Sequence, residues 1–391
     1  MDKRLLVLAG GMFALGTDSF VVAGILAQVA ASLHVSVALA GQMVTIYALT
    51  YALLSPVIAA AAAHVPRKQL LMAGLVVFVI GNVITAVAPG IGLVLLSRFI
   101  AGLGAAMFSP TATGASLVPP EQRGRALAIV IAGLSSATAL GAPLGTFIGG
   151  LLDWRATMWF VSAVGTVAAF GVALLLAAVP TPPVVSLQQR LAPLADVRVQ
   201  RTLLTTWLAY AGLFLVYTYI GLSFDRATGG NPSVLAGLLL LWGITATIGN
   251  LMAGRLTDRF GSRRIINATV AIAAVNFALL PLSSAHLLTA ALAIVVWGLC
   301  GWGFVVPQQH RLINITPSAA PLLLGLNSAA LYVGVSMSGL LGGAAINHID
   351  RHSLGLVGSV FIVLALFTAE WAHSSMARPA GGLAAAAAAS R

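Results

Sequence analysis

Asp18 and Arg98 are the two residues whose chemistry is hardest to reconcile with their surroundings. Asp18 is the one acid near the middle of a long apolar run, and Arg98 sits well inside another. Counted from Leu5 at 1.5 Å per residue, Asp18 lies roughly 20 Å from the inner edge of its run, and Arg98 lies roughly 10 Å inside the outer edge of its own, which begins at 91. That puts the two at similar depth. A charge at such depth is costly, faces a bundle interior or aqueous cavity, and takes a partner. An acid of this kind can exchange a proton when its cavity opens to one side or the other. Two blander readings stay open: a permanent Asp–Arg strut that never titrates, and an arginine that snorkels to the membrane surface.

A second set of residues could hold a ligand. Trp207, Tyr210, Phe214 and Tyr217 recur at i, i+3, i+7 and i+10, which is one face of a helix. Trp297, Trp302, Gln308 and Gln309 follow on a later run, and Asn327 and Tyr332 on the next. Aromatic walls suit planar or apolar cargo, although the same spacing also serves plain packing. Trp154 is expected to anchor a membrane interface.

The elements that would position these groups are membrane helices. The chain has 391 residues, 59% apolar and only 7% charged, with a mean hydropathy of +1.01, against about 25% charged in soluble domains. A hydrocarbon core about 30 Å thick needs roughly 20 apolar residues per helix. Runs of that kind fall at 5–30, 36–62, 70–88, 91–117, 125–151, 156–179, 202–224, 233–254, 265–282, 286–310, 319–346 and 354–373. The N-terminal run is too long, and Asp18 too polar, for a cleaved signal. The fold class expected is therefore an all-α membrane protein of 12 helices in two six-helix bundles. Residues 1–179 form the first, 180–201 a linker, 202–373 the second and 374–391 an alanine-rich tail.

Basic residues outnumber acidic ones by 20 to 9. With the N-terminus inside, sixteen of them gather in the cytoplasmic segments and only Arg155, Arg226 and Arg351 outside. Both termini are then cytoplasmic, and the charge excess reflects topology, not nucleic-acid binding. The halves also repeat. GAPLGTFIGG (Gly141 to Gly150) matches GVSMSGLLGG (Gly334 to Gly343), and PRKQLL (Pro66 to Leu71) matches SRRIIN (Ser262 to Asn267). A period near half the chain indicates a duplicated six-helix unit. The lone Cys300 permits no intrachain disulfide. No metal cluster, cofactor motif, nucleophile elbow or phosphate loop occurs, which argues against an enzyme or an ATP-driven pump.

Five segments carry a family resemblance: GTDSFVVAGIL (Gly16 to Leu26), LLSRFIAGLGAAM (Leu95 to Met107), GAPLGTFIGGLLDWRA (Gly141 to Ala156), GNLMAGRLTDRFGSRR (Gly249 to Arg264) and VVPQQHRLINI (Val305 to Ile315). The chain resembles a major facilitator superfamily transporter of the 12-helix drug:proton antiporter group, in the arabinose-efflux-like or purine-efflux-like branch. The resemblance implies a monomer in the bacterial inner membrane that exports a small organic molecule against protons by alternating access. An importer, or a receptor on the same fold, is the alternative. It implies proton coupling at Asp18 and Arg98 and an antiporter helix built on Gly141, Pro143, Gly145, Gly149 and Gly150. The seventh-run, tenth-run and eleventh-run residues named above become the cargo cavity. A cytoplasmic gate is implied at Gly254, Asp258, Arg259, Gly261, Arg263 and Arg264. Relatives often carry Asp-Glu where this chain has Asp18-Ser19, and the first-half copy of the gate, AAHVPRKQ, keeps Arg67 and Lys68 but lacks the acid.

Overall fold

The computed structural model describes residues 3–108, 113–114, 116–176 and 185–377. Among them there are helices and no strands. The twelve expected runs correspond to α1 (Lys3–Ser32), α2 (Val37–Ala61), α3 (Arg67–Val87), α4 (Ile91–Met107), α5 (Arg123–Leu151), α6 (Trp154–Leu175), α7 (Val197–Thr218), α8 (Pro232–Phe260), α9 (Ser262–Ala278), α10 (Leu287–Ile315), α11 (Ala320–Ile346) and α12 (Leu354–Ala377). Nine of these are long and apolar enough to span a bilayer by composition alone; α4, α7 and α9 are shorter or more polar and complete the set. With every backbone group in lipid needing an internal partner, an all-helical answer is what this hydropathy demands.

Several boundaries differ from the hydropathy runs, each for a local reason. α4 ends at Met107, ten residues before the apolar run does, with Phe108 extended and Pro110, which has no N–H for a helical ladder, two positions further along the sequence. α7 starts at Val197, inside the segment expected as linker, because Asp196 caps it: the carboxylate accepts from the Arg198 backbone N–H at 2.8 Å. Side-chain hydrogen bonds from Arg198 hold that carboxyl below the usual carboxylate range. The short helix Leu187–Leu191 precedes it, closed by a capping box between Ser186 and Gln189. Arg190 reaches from there to the Ala59 carbonyl at the end of α2 at 3.0 Å. The tail residues 378–391, with Arg378 and Arg391, lie outside the described residues, as do residues 177–184 after α6.

Two helices are interrupted by proline. In α5 the turn Ala137–Gly141 is a π-turn in which the Ala142 N–H reaches back to the Ala137 carbonyl. Pro143 has no N–H, so the regular ladder fails just there and the turn widens. In α10 the helix breaks between Gly303 and Val305, four residues ahead of Pro307, whose missing N–H would have bonded the Gly303 carbonyl.

Helices α1 to α6 pack chiefly on one another, and α7 to α12 likewise; α2 against α11 and α5 against α8 join the two groups. The ends carrying Lys3, Arg67, Arg190, Arg255 and Arg263 share one face of the molecule, the basic face. Contacts between the groups sit toward the opposite face: Gln42 donates to the Gly339 carbonyl at 3.4 Å, and Gly150 lies against Pro232. There a pocket of about 240 Å³ is lined by both groups, including Gln28, Tyr219, Asp225 and Asn231. Toward the basic face, α1 and α5 leave a cleft of about 380 Å³ lined by Leu6, Phe13, Ile129 and Ser136.

Candidate functional site

Asp18 and Arg98 meet. The Arg98 Nη1 donates to Asp18 Oδ1 at 2.8 Å, with both side chains within 1% of complete burial. Arg98 Nη1 also reaches Asn82 Oδ1 at 3.2 Å, while Asn82 Nδ2 donates to Asp18 Oδ2 at 3.4 Å and to the Phe78 carbonyl at 3.1 Å. Three helices thus supply one closed triangle: α1 the acid, α3 the amide, α4 the base. The Arg98 guanidinium also lies 4.6 Å from the Tyr47 ring centroid, a cation–π contact from α2. Ser19 donates to the Tyr47 hydroxyl at 3.3 Å. The Arg98 Nε is buried without a partner. Pairing of this kind is what makes two charges tolerable in a dry interior, since either one alone would be left uncompensated.

The glycines of α5 explain how α1 is held. Gly141, Gly145 and Gly149 lie at i, i+4 and i+8 and press on Thr17, Val21 and Ile25 of α1 so closely that an added Cβ would overlap each side chain. That ridge flanks Asp18 on its own helix. Pro143 supplies the π-turn, and Gly243 of α8 fits against the Thr138 and Ala139 backbone of that widened turn. Gly150 turns away from α1 and faces Pro232 of the other group.

The aromatic face of α7 is buried in the centre. Tyr210, Phe214 and Tyr217 are all at most 5% exposed. Phe20, two residues past Asp18, has its ring centroid 6.0 to 6.1 Å from those of Phe214, Tyr217, Trp242 and Trp302. Tyr217 also donates to the Phe20 carbonyl at 3.2 Å, and Trp297 stands edge-on to Tyr217 and Trp242. Below this cluster Gln308 Nε2 donates to the Thr202 carbonyl at 2.6 Å and to Thr206 Oγ1 at 3.0 Å, and Thr206 in turn donates to Asn327 Oδ1 at 2.7 Å. Gln309, one position round the helix, is only half-buried and joins none of these bonds. Tyr332 stacks on Tyr51 of α2 with centroids 4.2 Å apart, across the seam.

The gate residues are arranged differently from one cross-molecule latch. Gly261, at φ +79°, makes the sharp corner between α8 and α9 that a side chain would strain. Arg263 pairs with Glu370 of α12, not with Asp258, and Asn267 of α9 closes on the same carboxylate. Asp258 and Arg264 are exposed, Gly254 faces open space, and Arg259 lies over Phe260. Trp154 does not present its ring to a membrane interface: it is wholly buried, with the Arg155 guanidinium 4.3 Å from its ring centroid. Helix α6 begins at that residue, so the indole points into the bundle while Arg155 takes the surface.

Comparison with known proteins decides the family. The Major Facilitator Superfamily model matches residues 8–320. The chain belongs to the Major Facilitator Superfamily. It is 28% identical over 379 residues to the uncharacterized MFS-type transporter YbcL of Bacillus subtilis, covering 96% of this chain and 97% of that one. It is 29% identical to the inner membrane transport protein YdhP of Escherichia coli K12, covering 89% and 90%. Among solved structures it is similar to a bacterial homolog of the human lysosomal transporter Spinster in an inward-facing, occupied conformation, with TM-score 0.76 and 17% identity over 95% and 96% of the chains. It is also similar to a mutant of the nucleoside transporter NupG, with TM-score 0.73 and 13% identity over 94% and 98%. The fold is therefore that of a 12-helix superfamily transporter.

Sequence reasoning passed over four residues that this superfamily transporter places in the site. Asn82 was visible as a lone amide in an apolar run, the usual mark of an interhelical bond. Phe20 and Trp242 carried no periodic signal of their own. Glu370 sat near the end of its helix, where acids are unremarkable.

Proposed function

We propose that this superfamily transporter is a proton-coupled exporter of a small organic molecule, with Asp18 as the coupling acid and the α7–α10–α11 aromatic and amide surface as the cargo site. The observation that carries the reading is the burial of Asp18 against Arg98, the one carboxylate in the middle third of any described helix. A transporter must link a proton to a moving element, and α1 holds both functions within three residues. Asp18 bonds α4 through Arg98, and Phe20 touches the aromatic cluster of the second group. Protonation of Asp18 removes the charge that holds Arg98, and α1 can then shift against α4 while Phe20 shifts against Trp242 and Tyr217. The acid would be loaded from one side of the membrane and emptied to the other as the two groups rock.

The basic face is read as cytoplasmic by the positive-inside rule, which places both termini and the 180–201 linker there. Contacts between the halves on the opposite face then describe a state closed toward the outside. The test is transport in proteoliposomes. Asp18→Asn keeps the shape of the side chain, so it is expected to insert and bind cargo but not to concentrate it under an imposed pH gradient. A wild-type protein that needs no gradient, or an Asp18→Asn protein that still pumps, would assign the coupling proton elsewhere.

A further inference from the structure

The charge inventory of the site constrains the cargo. In the middle third of the twelve long helices the only charged residues are Asp18 and Arg98, and they neutralise each other; nearer its helix end, Arg311 is buried one turn past Gln308, donates to the Ala369 carbonyl at 3.1 Å and leaves its Nη2 without a partner. The remaining described acids lie near helix ends or in loops, most of them paired: Asp153 with Arg155, Asp196 with Arg198, Asp225 with Arg351, Glu370 with Arg263. A cationic cargo moving through this centre would meet no free carboxylate to replace its water. The surface facing it is aromatic with a few unfilled hydrogen-bonding atoms.

Those atoms are specific. Gln308 is completely buried, and its orientation is fixed because the Thr202 carbonyl at 2.6 Å can only accept, so the NH2 must point there. Its Oε1 is left buried with no donor. The Tyr210 hydroxyl, one helical turn along α7 from the Thr206 that Gln308 holds, is buried without a partner as well. Trp207 Nε1, on the same face three residues before Tyr210, and Trp242 Nε1 in the aromatic cluster are unfilled donors. Buried polar groups in folded proteins are nearly always satisfied, so a group of orphans around one aromatic surface marks where another molecule supplies the missing partners.

Resting on the transport reading above, we propose that the cargo is a planar aromatic molecule that carries no positive charge and presents both a hydrogen-bond donor and an acceptor. Its ring packs among Tyr210, Phe214 and Trp242, its donor meets Gln308 Oε1, and its acceptor takes an indole N–H or the Tyr210 hydroxyl.

The full-length protein in detergent is titrated by tryptophan fluorescence and thermal shift with three probes of one ring size: 2-quinolinone, 1-methyl-2-quinolinone and the permanent cation 1-methylquinolinium. The quinolinone is expected to bind and raise Tm. Methylating its nitrogen removes the donor and weakens binding about five- to tenfold, and the cation binds at least about tenfold more weakly. Tyr210→Phe leaves the ligand-free Tm unchanged, because the hydroxyl has no internal partner to lose, and weakens quinolinone binding severalfold. Binding of the cation at least as tight as that of the quinolinone, indifference to both methylation and Tyr210→Phe, or failure of all three rings to bind would each overturn the proposal. Pumping assays on the same probes separate the two readings. A protein that binds quinolinone but cannot concentrate it against a pH gradient refutes the coupling alone, and one that pumps 1-methylquinolinium refutes the cargo class alone.

Discussion

Removing the guanidinium of Arg98 strands Asp18 in a dry interior with only the amide of Asn82 for company. Loss of one partner of a buried pair costs about 3–5 kcal/mol, because the survivor is an uncompensated charge. Arg98→Ala is therefore expected to lower the melting temperature sharply in detergent, and Asp18→Asn added to it to restore part of the loss. A double variant no more stable than Arg98→Ala would mean the acid was never charged against the arginine. Asn82→Ala breaks the weaker sides of the triangle, at 3.2 and 3.4 Å, so its cost should be nearer 1–3 kcal/mol, that of an ordinary buried hydrogen bond left unmade. The pairing of Asp18 with Arg98 was legible in the sequence from their matching depth alone, since two isolated charges at one depth in lipid have few other partners. Asn82 was harder to foresee, because an amide carries no charge to force a partner and its depth alone names none.

Helix α5 acts as a rail for α1. The glycines at 141, 145 and 149 leave no room for a side chain against Thr17, Val21 and Ile25, so the two backbones run in direct contact beside the proton site. Gly145→Leu should push α1 outward, separate Asp18 from Arg98 and reduce the yield of folded protein, whereas Gly124→Leu, at a position where nothing lies within 4 Å, should be tolerated. Yield by fluorescence-detected gel filtration distinguishes the two; equal yields would remove the rail. The glycine spacing was visible in the one-dimensional pattern. The π-turn was implied by Pro143, but its use as a seat for Gly243 of α8 depends on a helix a hundred residues later in the chain.

At the scale of the molecule, the two groups of helices meet along α2 and α11 on the face opposite the basic one. A Cβ at 339 would press on the Thr45 side chain and the Gly41 carbonyl, so α2 must yield slightly before a cysteine pair there takes disulfide geometry, with Cβ atoms about 3.5–4.5 Å apart. Thr45→Cys with Gly339→Cys, in a Cys300→Ala background, should cross-link under oxidation and stop transport, with activity returning on reduction. Transport that survives a completed cross-link would show that this seam need not open. The orientation has its own measurement: protease sites placed at Met1 and within 180–201 should resist cleavage from outside in intact cells, and cleavage of the linker from outside would invert the topology.

The sequence by itself determined the class of solvent and the number of helices, and its motifs carried the family resemblance. The first two follow from hydropathy and charge, which act along the chain and need no partner to be read. It also fixed the depth of Asp18 and Arg98, because depth is counted along a helix. What only the tertiary structure decided is which groups touch across helices. Trp154 goes inward instead of to the interface, Arg263 chooses Glu370 over Asp258, and Phe20 joins α1 to the aromatic cluster of the second half. Each depends on the rotation of one helix against another. Local periodicity sets which residues share a face of a helix, but the packing of all twelve sets what that face meets.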